Sequence, residues 1–146
     1  MVMEIHEDQP LVEPSGRNVV ISEAVGTTGT VNGPVAWAVM PEMTLTLALN
    51  AGDLILIMWT GNLYVLPLTF GRMRFTVNGA SISMEYRAGN QVNVANSARR
   101  SVYSMIKSYT VPAAANYTIE LEWQTPFVGD VQSMLNERCL TVVRYY

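Results

Sequence analysis

The chain has 146 residues, of which 49% are hydrophobic and 14% charged, with one cysteine and one histidine. That length buries a core without disulfides or metals, so a single disulfide-free domain is expected. The charged fraction is well below the usual ~25%: the surface is covered by Thr, Ser, Asn and Gly, or is partly buried against other subunits. The net charge of -3 comes with one lysine, Lys107, and no basic stripe, which argues against a nucleic-acid surface, since that requires clustered Lys and Arg.

Residues 1–18 differ from the rest of the chain. They hold Glu4, Glu7, Asp8, Glu13, Pro10, Pro14 and Gly16. Among them stand apolar residues, including Met3, Ile5, Leu11 and Val12, which suit an extended arm that orders on a partner. The start shows no basic-then-apolar leader pattern, and no run reaches the ~20 apolar residues of a membrane helix.

From Val19 to Tyr146 the chain reads as one domain of successive strands. MTLTLALN alternates with period two, as a half-buried strand does. LILIMW, Leu54 to Trp59, is apolar on both faces, and NLYVLPLTF comes after a turn candidate at Gly61-Asn62. RMRFTVNG and SISMEYR flank Asn78-Gly79, a strong hairpin signal. Pro67 marks its strand as an edge or a bulge. SVYSMIKSY, YTIELEW and RCLTVVRYY complete the series, with a loop expected over 125–136. Eight to ten short strands without helical segments indicate an all-β, antiparallel sandwich or barrel, jelly-roll-like, carrying the N-terminal arm.

Antiparallel sheets commonly keep one face wet, yet three of these strands are apolar on both sides. The second face implies a partner. Ile55, Ile57, Trp59, Tyr103, Met105, Tyr109 and Tyr146 are the expected oligomer contacts, and closed homo-oligomers are the common solution.

The residues for catalysis are poorly supplied. His6 is the only histidine and lies in the arm, so no positioned base or zinc set is at hand. Cys139 falls mid-strand, where an inert thiol is the default. Glu120 and Glu122 project from one face, roughly 7 Å apart at ~3.4 Å per residue. That spacing could serve a glycosidase, but alternation already accounts for both as a wet face, with Arg or Lys pairing across the strands. No catalytic residue, metal or cofactor is therefore expected, and the chain reads as a non-enzyme.

RFTVNG, then ARRSVYSMIKSYTVPAAANYTIELEW, a loop and RCLTVVRYY resemble the layout of small trimeric sandwiches of the tumour-necrosis-factor and complement-C1q type. The matching residues are Tyr117, Thr118, Ile119, Leu121, Trp123 and Arg138. With its arm, the chain resembles the decoration (cement) proteins of tailed-phage capsids. That resemblance implies a structural virion protein made in the host cytoplasm: a homotrimer on the outer capsid surface that contacts the major capsid protein and neighbouring trimers, its arm clasping them. No nucleic acid, membrane or small-molecule substrate is implied. The alternatives are a C1q/TNF-like ligand or receptor-binding fibre tip, and a carbohydrate-binding module, for which Trp37, Trp59 and Trp123 are the indoles.

Overall fold

The structure, a computed structural model, describes residues 18–27, 29–90, 99–127 and 131–146, with 90, 99–100 and 132–137 described as backbone. The arm residues Met3, Ile5, Leu11 and Val12 lie outside the described residues. The rest is all-β. Ten strands run β1 (Val19–Val25), β2 (Val31–Asn32), β3 (Ala38–Leu49), β4 (Leu54–Val65), β5 (Thr69–Val77), β6 (Ala80–Ser81), β7 (Tyr86–Asn90), β8 (Arg99–Thr110), β9 (Ala115–Gln124) and β10 (Val131–Tyr145).

They form two antiparallel sheets. Sheet A has the order β1-β10-β4-β8, with β2 also on β10. Sheet B has the order β3-β9-β5-β6, with β7 also on β5. From β3 to β5, and again from β7 to β10, each long strand lies in the opposite sheet from the one before it. The body is thus a jelly roll, two five-stranded layers joined by interleaved Greek-key connections, as the strand pattern led us to expect.

Alternation builds the core. Met40, Met43, Ile55, Ile57, Trp59, Leu63, Phe75, Ile119, Leu121 and Leu140 are all fully enclosed between the sheets. The Asn78-Gly79 hairpin is present, with both residues at positive φ (50° and 77°), as a two-residue turn of primed type requires. Three boundaries differ from those expected. β4 runs unbroken through Gly61, because the backbone there lies against the Trp59 indole and a Cβ would overlap that ring. Pro67 sits in the turn between β4 and β5, where Leu68 takes a φ of 55°. Finally, β10 starts at Val131 inside the expected loop, pairing with β4 and, through Gln132 and Ser133, with β2.

The lateral seam between β1 and β3 is closed by a buried ion pair. β3 bulges between Val39 and Thr44, and at the bulge Glu42 takes a φ of 65°. Its carboxylate accepts from Arg138 on β10, whose Nη2 lies 2.9 Å away. Arg138 Nε donates to the Pro41 carbonyl at 3.2 Å. Glu42 also accepts from the backbone N–H and hydroxyl of Thr27, both at 2.6 Å. Gly26 lets the arginine through, since any Cβ there would overlap its side chain.

These contacts set the expected response to mutation. Arg138 is 0% exposed and Glu42 31% exposed, so their losses are unequal. Glu42→Ala removes the carboxylate that accepts from the buried Arg138 guanidinium and from Thr27, and should cost about 1–3 kcal/mol. Arg138→Met leaves only a carboxylate that water reaches and should cost less, as judged by urea midpoints. Gly61→Ala should cost about 1–3 kcal/mol by overpacking against Trp59, lowering the midpoint without changing the denaturant slope.

Candidate assembly surface

The two sheets present unlike outer faces. On sheet B most outward residues are polar, and several are paired across strands. Thr44 stands opposite Glu120 and Thr46 opposite Thr118, their side-chain oxygens 3.4 Å apart in each pair. Glu122 accepts from Arg74 on β5, with Nη2 at 2.6 Å and Nε at 2.7 Å. Arg72 donates to Gln124 at 2.9 Å and to Glu85 at 3.3 Å. The Arg74 guanidinium also lies 4.2 Å from the centre of the Trp37 ring. Glu120 and Glu122 thus sit in a cross-strand ladder, Glu122 with the arginine partner expected across the strands and Glu120 with the Thr44 hydroxyl. Of the three indoles, Trp59 and Trp123 are buried in the core and Trp37 stacks with Arg74, so they form no coplanar exposed platform.

Sheet A is different. Its register aligns successive outward rows across all four strands. One row is Val19, Tyr145, Leu54 and Thr110. The next is Ile21, Val143, Leu56 and Ser108, followed by Glu23, Thr141, Met58 and Ile106, then Val25, Cys139, Thr60 and Ser104. Glu23 is the one charged side chain in these four rows. Apolar members stand well out of the surface at both edges, with Ile21 62%, Val25 52% and Ile106 55% exposed, and Val102, one row beyond beside Asn62, is 72% exposed. Met58, Thr60, Ser104, Met105 and Ile106 line a shallow open depression of about 270 Å³.

This corrects the expected contact residues. Ile55, Ile57, Trp59 and Met105 are buried in the core, and Tyr103 and Tyr109 pack against it from its margin. They point inward, and Leu54, Leu56, Met58, Val102 and Ile106 point outward. Tyr146 is 49% exposed, with Arg144 stacked 4.6 Å from its ring centre. The inner choice has a physical reason. The odd-numbered side of β4 stays apolar or small for its whole length, through Gly61, Leu63 and Val65, whereas the even side turns polar at Thr60 and Asn62. The serines of β8 at 104 and 108 likewise share their side with Val102 and Ile106.

Among the described residues no group of three or more His, Cys, Asp or Glu side chains could hold a metal, and no helix is long and apolar enough to cross a membrane.

No family model and no curated protein matches the chain. Among solved structures it is similar to dimeric latent PorU from Porphyromonas gingivalis, with a TM-score of 0.53 and 12% identity. The match covers 88% of this chain and 13% of the PorU chain, so the likeness is to a small part of a longer protein. At that identity it shows the fold alone.

The Arg74 junction is testable. Arg74→Ala removes both the Glu122 pair and the Trp37 stack, charge-assisted contacts worth about 1–2 kcal/mol together at a half-exposed site. A matching fall in unfolding free energy is expected, and Trp37→Ala combined with Arg74→Ala should be less than additive in a double-mutant cycle.

Proposed function

We propose that the chain is a structural assembly protein that works by attachment rather than turnover. The observation that carries this is the apolar, nearly uncharged outer face of sheet A on a body whose other broad face is a paired polar ladder. A large exposed apolar face marks a partner surface. The resemblance to decoration proteins supplies the particular form: a homotrimer bound to the outside of a tailed-phage capsid, contacting the major capsid protein and stiffening the shell. The acidic N-terminal segment, with Met3, Ile5, Leu11 and Val12, clasps neighbouring subunits in this reading. Jelly rolls also build viral capsid and lectin domains, an analogy of fold that agrees with a virion location without establishing it.

The test is co-sedimentation of the full chain with shells of the phage that encodes it, followed by thermal disruption of those shells. Saturable binding and a raised disruption temperature are expected, both weakened by removing residues 1–18. A chain that stays in the supernatant, or that binds a glycan array instead, overturns the decoration reading in favour of a receptor- or carbohydrate-binding module.

A further inference from the structure

We infer that the outer face of sheet A packs against the same face of a second copy of this chain. The inference rests on the assembly reading above and names the partner of its apolar face.

Three observations select a second copy over an unrelated partner. The first is size. Four strands at ~4.8 Å spacing over the seven residues that all four share, at ~3.4 Å rise, project about 460 Å², the size of a weak, reversible contact between two copies rather than of an obligate interface. The second is charge. Across the four aligned rows Glu23 is the one charged side chain, and it lies on edge strand β1. A strongly acidic or basic partner finds no complement there, whereas two copies meet without burying opposed like charges at the centre. The third is composition: Leu54, Leu56, Met58, Ile106 and Tyr145 form the aliphatic, methionine and aromatic mixture of homo-oligomer interface centres. The outer face of sheet B, ionic and internally paired, does not offer the same chemistry, so the same-face contact is isologous and closes at two copies instead of an open chain; where the decoration reading holds, it joins subunits of neighbouring trimers rather than building the trimer itself.

The face carries its own reporter. Cys139, the only cysteine, is half-buried on it, aligned between Val25 and Thr60. Light scattering on the isolated full chain should give a mass that rises with concentration toward an even multiple of 16.2 kDa, and the rate of Cys139 alkylation should fall as concentration rises through the association range. Val102→Glu and Ile106→Glu change residues that already stand in solvent, so the variants should keep the wild-type far-UV spectrum while their mass falls to that of one chain. Thr46→Glu, the matched change on sheet B, should leave the mass unaltered. A wild-type chain that stays at 16.2 kDa over the whole concentration range overturns the inference. So do variants that keep the oligomer, and so does thiol protection independent of concentration in a monomer, which would mean that the chain's own N-terminal segment lies on the face. An oligomer that forms through this face yet ignores phage shells supports the inference and removes only the decoration reading.

Discussion

Arg138 is the constraint on which the sandwich closes. A fully buried guanidinium needs a counter-charge and acceptors for its donors, and the chain supplies them from the opposite sheet. The β3 bulge turns Glu42 and the Pro41 carbonyl toward it, and Gly26 removes the side chain that would block its path. The same carboxylate draws in Thr27 at the end of β1. One arginine on β10 thereby ties the last strand of the fold to the edges of both layers. The opposite seam is closed more lightly, by the Tyr86 hydroxyl donating to the Ile106 carbonyl at 3.0 Å. With the seams held, the facing sides of β4, β5, β9 and β10 are committed to the core, and which residues remain outside is decided by register alone.

That register explains why the two outer faces differ. Sheet B carries its polar groups in opposed pairs, so Thr, Glu, Arg and Gln satisfy one another across β3, β9 and β5. Sheet A places aliphatic residues in the same geometrical positions. At its open end Asp53 is bound by Arg144 at 2.7 Å and accepts from the Asn50 N–H at 2.7 Å, but both lie on the inner side of the sheet. The charges of the body are thus concentrated at the seams and on sheet B, and the low charge density of the chain shows as bareness on one surface.

Much of the fold was legible because it depends on local pattern. Period-two alternation found the strands, Asn78-Gly79 found its hairpin, and the absence of helical segments found the class. The two-sidedness of β4 and β8 was also legible, and it correctly signalled a second apolar surface. Its direction was missed because LILIMW was judged over six residues. Taken to Val65, the odd side stays apolar or glycine while the even side reaches Thr60 and Asn62, which identifies the inner face. Arg138 was visible only as the residue leading the last strand. Its partner lies 96 positions away on a bulge, and no local signal joins the two. The long β10 was hidden by Pro126 and Gly129, which read as a loop before the strand that pairs with β4.

The make-up of the sheet A face differs from that of the core in a way that suits reversible burial. Ser108 stands beside Leu56, Thr141 beside Met58, Thr60 beside Cys139 and Ser104 beside Thr60. In a core such hydroxyls would each need a partner or cost free energy. On this face the Thr141 hydroxyl donates to Glu23 at 3.4 Å, and water can reach the others. Against a second copy they can hydrogen-bond across the contact or hold bridging water, while the aliphatic neighbours supply the driving force. A face of unbroken Leu and Ile would hold two copies more tightly and expose a worse aggregation surface before they met. Alternating hydroxyl with aliphatic side chains gives up part of that attraction and lowers the cost of leaving the face open to water.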